Sequence, residues 1–227
     1  MGSGRIIHFS PGTVGVDKTG APIPSGSAKQ LYGLGYRFAL RGIGVPNVAS
    51  SQAGQLTASE LAGLFGAGLA VSLFQLNFLQ RTIDAAQGTA DANYLVEQAQ
   101  AFGFPQNTGF TLWFDLEGSM AGASAGPLLD YVNAWAAAVT AGGFAAGIYT
   151  GKQSVLSGTA ISNLPNDCAY WQAAQFLPYS MPARGYQMYQ LYPAGRTIAN
   201  IPVDVDVVQQ DFLGGTTPFL GSASTSA

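Results

Sequence analysis

The chain has 227 residues, 48% of them hydrophobic, enough to bury one substantial core or two small ones. Only 9% of residues are charged and the net charge is −3, so the basic stripe that nucleic acid requires is missing. The single histidine, His8, and the single cysteine, Cys168, exclude an intrachain disulfide and a cysteine-cluster metal site, and argue against a Ser-His-Asp triad or a multi-histidine metal site.

Any catalysis is therefore expected to run on carboxylates, tyrosines or backbone groups, with no metal and no cofactor. No run of 18 or more apolar residues occurs, so no membrane span is expected. Met1 to Ser10 contains Arg5 and His8 but no apolar segment, and no secretory signal is read there.

In chain order, Val14 to Asp17 reads as a short strand ending in an acid, followed by a Gly/Pro/Ser loop over 18–26 and a short helix from Ser27 to Leu34. Tyr36 to Leu40 is the second strand. Thr57 with Glu60 three residues on is a capping-box signal that opens a helix to about Gly66. Leu69 to Leu76 is the third strand. From Thr89 to Phe102, Ala92, Leu95, Val96, Ala99 and Phe102 recur at helical spacing, and Gly103 and Pro105 end that helix.

The fourth strand, Thr111 to Glu117, is apolar and aromatic until it ends in Asp115, Leu116, Glu117 and Gly118. A helix over Leu128 to Ala141, a strand over Ala145 to Thr150 and a weaker helical segment over 152–164 follow. Three more strands are read at Cys168 to Ala174, Tyr186 to Tyr192 and Ile201 to Val208.

Eight strands, most separated by helical segments, predict an α/β fold with a parallel sheet: a single (β/α)₈ barrel whose late helices are reduced. A doubly wound open sheet is the competing arrangement. The expected division is an N-terminal arm over 1–11, the barrel over 12–213 and a flexible Gly/Ser/Thr-rich tail over 214–227.

On a strand, residues two apart share a side, so Asp115 and Glu117 project together. Paired, partly buried acids raise each other's pKa, which suits general acid chemistry. The structural alternative is that one caps the next helix and the other pairs with an arginine. Active groups of a barrel collect at the C-terminal strand ends. Asp17 ends the first strand, Asp115 and Glu117 the fourth, and Asp204 and Asp206 lie on the eighth. Closure makes the first and eighth strands neighbours, so Asp17 and Asp204 are expected to converge. Asp206 has the further option of pairing with a surface arginine.

Gly15-Val16-Asp17, Trp113-Phe114-Asp115-Leu116-Glu117, Gly147-Ile148-Tyr149-Thr150, Tyr170-Trp171-Gln172-Ala173, Tyr189-Gln190 and Val203-Asp204 follow one another in that order. Over about residues 12–213 they resemble the strand motifs of glycoside hydrolase family 25 lysozymes, and equally those of the related glycoside-hydrolase-like family labelled domain of unknown function 1906. The resemblance implies that Glu117 is the general acid and that Asp115 orients the substrate's N-acetyl group or stabilises an oxocarbenium-like centre. It implies that Asp17 and Asp204 line the same floor. Tyr149, Trp171 and Tyr189 would form a sugar-stacking wall, with Gln190 and Asp206 as further substrate-binding groups. Packing in or around the barrel is the other reading of Trp171 and Tyr189.

Two motifs depart from the lysozymes: Lys18-Thr19-Gly20-Ala21-Pro22 after the first aspartate, and Tyr189-Gln190-Leu191 on the seventh strand. Both fit the second family better. The resemblance implies a glycosidase cutting bacterial peptidoglycan or a similar N-acetylated glycan, acting outside the cell or with a phage particle. A non-catalytic glycan-binding or structural domain is the second reading, and a carboxylate site for Mg²⁺ or Ca²⁺ is a weaker third.

Overall fold

The computed structural model describes residues 4–76, 82–116, 124–151, 156–164, 168–174 and 184–223. Within them the chain runs β1 (Arg5–His8), β2 (Val14–Lys18), α1 (Ser25–Gly33), β3 (Phe38–Ile43), α2 (Ala49–Gln52), α3 (Ala58–Gly66) and β4 (Ala70–Gln75). It continues with α4 (Ala85–Ala101), β5 (Thr111–Asp115), α5 (Ala125–Ala141), β6 (Ala145–Thr150), α6 (Gly158–Ser162) and β7 (Ala169–Gln172). The last elements are β8 (Met188–Gln190), β9 (Arg196–Ile198), β10 (Ile201–Val208) and β11 (Pro218–Gly221).

Seven strands, β2 to β8, pair in parallel in sequence order. The eighth, β10, fits between β8 and β2 and closes the barrel, but runs antiparallel to both. A parallel strand needs a long crossover, usually a helix. Residues 191–200, between β8 and β10, hold only β9, which hairpins onto β10. The fully parallel expectation is corrected at this strand. Its reversal matters, because the start of β10 now lies beside the end of β2.

The barrel interior is packed with rings and aliphatics: Phe38, Leu40, Phe74, Trp113, Tyr149, Trp171, Met188 and Val208. Two glycines make room. A side chain at Gly15 would collide with the Phe38 ring, and one at Gly147 with Trp113. Small residues facing large ones is how a narrow barrel is filled.

The second apolar layer lies between strands and helices. Leu112, Phe114 and Leu116 meet Leu128, Tyr131, Val132 and Trp135 there. A buried polar set ties it together: Trp135 Nε1 donates to Gln75 Oε1 at 2.6 Å, and Gln75 Nε2 donates to the Asp91 carbonyl at 2.7 Å. Tyr131 OH completes it at 2.6 Å from Asp91 Oδ2.

The described parts of the arm and tail join the sheet. β1 pairs with β11, and β11 pairs with β4 at Leu220 opposite Val71. Phe219 is fully buried, with its ring 4.3 Å from Phe38 and 5.5 Å from Phe9. This trio plugs the end of the barrel where β3 begins. The expected fraying of 214–227 is corrected for its described part, because Phe219 and Leu220 bury apolar area that Gly/Ser/Thr neighbours do not reveal. No helix among the described residues is long and apolar enough to cross a membrane.

Candidate active site

The strand ends β2 and β5, together with the start of β10, bring acids to one mouth. Asp17 and Asp204 are direct partners across the β2–β10 ladder. Asp115 is opposite Tyr149 on the β5–β6 ladder, on the same side of its strand as the inward-facing Trp113. Glu117 lies outside the described residues. Among those described, no group of three or more His, Cys, Asp or Glu is arranged to hold a metal ion.

A polar chain crosses the floor. Tyr149 OH donates to Gln190 Oε1 at 2.9 Å, and the Ala174 amide donates to the same oxygen at 3.2 Å. With that oxygen occupied, the Gln190 amide turns its Nε2 to Asp17 Oδ2, 2.8 Å away. Asp17 is thus held at a fixed position with its oxygen already accepting a bond. Burial, and then the charge of Asp204, push the Asp17 carboxyl up to about 7, against the opposing bonds from Gln190 and Asp206 and the charge of Arg41.

Asp206 is deeper still. It faces Gly15 and Gln190 in register and is fully buried. Its Oδ1 accepts a 3.0 Å bond from Trp171 Nε1, and its carboxyl is hydrogen-bonded to that of Asp17. Burial first, then the charge of Asp17, raise its pKa well above the ordinary carboxylate range. Among the described residues it pairs with no arginine, and at zero exposure it offers no atom to a ligand at the mouth.

Two members of the expected stacking wall are also placed elsewhere. Trp171 is 1% exposed and wedged among Tyr149, Phe74 and Trp113, with ring centroids 4.3, 6.0 and 5.9 Å away. It has no free face for a sugar; its indole N–H serves Asp206. Tyr189 follows the inward Met188 and precedes the inward Gln190, so the strand period turns it to the outer layer, 5.7 Å from Tyr186. Tyr149 keeps a small exposed fraction at the mouth. Asp204 is half-buried and accepts from the Gly195 amide, which pins the turn between β8 and β9 beside it.

Sequence reasoning missed Arg41. It is fully buried on the outer side of β3 and pairs with Glu60 of α3 at 2.7 Å. Its guanidinium also donates to the carbonyls of Lys18, Gly20 and Gly54, the last two at 3.1 and 3.0 Å. The Glu60 carboxylate accepts in addition from the Ile23 amide at 2.7 Å. This clamp fastens the loop that follows Asp17. The only legible signal was an arginine at the end of an apolar strand.

Among solved structures, an uncharacterized B. stearothermophilus protein superposes with a TM-score of 0.65 at 21% identity, covering 88% of this chain and 97% of its own. The Tat-secreted protein Rv2525c of Mycobacterium tuberculosis, in complex with L-tartrate, gives 0.63 at 19% identity over 87% of this chain and 96% of its own. GHIP, a glycosyl hydrolase 25 of Streptococcus pneumoniae, gives 0.60 at 16% identity over 87% of each chain. No curated protein sequence matches the chain. The family model for the Rv2525c-like, glycoside hydrolase-like domain matches residues 29–211, and together with this barrel it places the chain in that family.

Proposed function

We propose that the protein is a glycosidase that cuts the glycan strands of bacterial peptidoglycan, with Glu117 as the general acid and Asp115 assisting it. The observation that carries the reading is the opposition of Asp17 and Asp204 at the barrel mouth where β5 delivers Asp115. An acid-lined floor suits a reaction that passes through an oxocarbenium-like centre, because carboxylates stabilise developing positive charge. The fold that it shares with a glycosyl hydrolase 25 supports the substrate class. The Tat-secreted mycobacterial neighbour supports a place of action outside the cytoplasm.

In this reading Tyr149 lines the floor, and Gln190 holds Asp17 rather than substrate. Asp115 steadies the N-acetyl group or the charged centre. The test is to digest purified peptidoglycan, reduce the new sugar ends with borohydride and identify them by mass spectrometry. A muramidase yields reduced N-acetylmuramic acid. Reduced N-acetylglucosamine would move the cut to the other bond, and absence of any new end would contradict the proposal.

The second reading is a glycan-binding domain without hydrolysis. Its supporting observation is the clamped loop after Asp17, where Lys18 is buried and its Nζ turns back to the Thr19 carbonyl at 3.3 Å. Sedimentation with cell walls, unchanged by Glu117→Gln and without new ends, would favour it.

A further inference from the structure

Asp206 sits one residue pair beneath the floor, where no ligand reaches it. A buried carboxylate would ordinarily be replaced by an apolar residue unless its proton or charge were used. Its Oδ1 is taken by the Trp171 indole N–H, while Oδ2 is fully buried and has no donor among the described residues. The Asp17 carboxyl is the group hydrogen-bonded to it. Two carboxyls can share such a bond only if one carries a proton. Asp206 is the deeper of the two and sealed from solvent, so it keeps the proton and donates, while Asp17, which also accepts from Gln190 Nε2, receives it.

We propose that Asp206 is a positioning residue that stores a proton under the site, donating it from Oδ2 to the Asp17 carboxyl and so setting the charge that Asp17 presents at the mouth. The surroundings of the pair agree. Asp17 faces Gln190 of β8, Asp204 and Asp206 of β10 and the more distant Arg41 of β3; Asp206 faces Asp17 of β2, Trp171 of β7 and Asp204 of its own strand. No cation contacts Asp206 among the described residues, so a proton is its means of neutralisation. The pair titrates as a unit. Below about 7 it is neutral with two protons; above, the Asp17 proton leaves to solvent and one proton remains on Asp206.

The inference does not depend on the glycan being cut, and its test needs no substrate. Carbon-13 NMR of aspartate-labelled protein would follow the carboxyl titrations from pH 4 to 10. In the parent, one carboxyl titrates near 7 and a second stays protonated well beyond it. Asp206→Asn keeps the acceptor for Trp171 and still offers Asp17 an N–H, whereas Asp206→Leu offers it no donor. Because the bond from Asp206 lowers the Asp17 pKa, the midpoint should rise by about one pH unit in Asp206→Leu and stay near 7 in Asp206→Asn. A midpoint that fails to rise in Asp206→Leu overturns the proposal.

The parent protein gives a second readout should the variant not fold. Asp17 has a folded pKa near 7 against 3.8 when unfolded, so the native state binds more protons between those values. Stability then falls as pH rises through that window, and falls more gently above 7, where only Asp206 still holds an extra proton in the native state. A melting temperature that declines from pH 4 to 7 supports the shared proton; one that is flat or rises across the window contradicts it.

Discussion

Arg41→Ala is expected to lower stability by about 3–5 kcal/mol, the range for breaking one partner out of a buried ion pair. The Glu60 carboxylate would stay buried with the Ile23 amide as its remaining donor among the described residues, and the carbonyls of Lys18, Gly20 and Gly54 would lose the guanidinium. Each kcal/mol shifts the melting temperature of a domain this size by roughly 2–4 °C, so a fall of roughly 6–20 °C is expected in calorimetry. Arg41→Lys should recover only part of it. A lysine keeps the charge but lacks the planar fork that reaches Glu60 and three carbonyls at once. Replacing both partners with methionine should cost less than the sum of the single changes, because no orphaned charge remains. A loss under 1 kcal/mol for Arg41→Ala would remove the clamp from this account.

Phe219→Ala is expected to cost about 3–5 kcal/mol, as for other large-to-small changes in a packed core. The ring is fully buried against Phe38 and Phe9 at the closed end of the barrel, so its removal leaves a void that strand backbones cannot collapse into. Phe212 offers a control in the same C-terminal segment. It is 73% exposed, and its alanine variant should change stability by less than about 0.5 kcal/mol. Denaturant unfolding of the two variants separates the cases. The site lies at the other end of the barrel, so any activity per folded molecule should be unchanged. Equal costs for the two would mean that the tail does not seal the core.

The eight barrel strands were legible because each is a short apolar run bounded by turn residues, and the two long helices because α4 and α5 repeat apolar residues at helical spacing; the short β1 and β9 were not read. β11 was not, since four residues within Gly/Ser/Thr-rich surroundings look like a tail until their partners β1 and β4 are known. The Thr57 cap was half right. Its hydroxyl accepts the Glu60 amide at 3.2 Å, but the Glu60 carboxylate turns away to Arg41 and Ile23, long-range partners that no local pattern reveals.

At the site, the meeting of Asp17 and Asp204 followed from barrel closure alone. The depth of Asp206 did not, because it depends on the direction of β10. On an antiparallel strand the later acid lies further from the mouth, and Asp206 therefore drops below Asp204 to meet Trp171. The separation of Tyr189 from Gln190 was open to a two-residue period; family likeness had kept them together.

The central claim, that the carboxyls at this mouth hydrolyse glycan, is tested most directly by release of reducing ends from purified peptidoglycan, with the parent and Glu117→Gln compared side by side. The account predicts release by the parent and a loss of ~10²–10⁴-fold in the variant, the range for removing a general acid. Equal release by both proteins would contradict it.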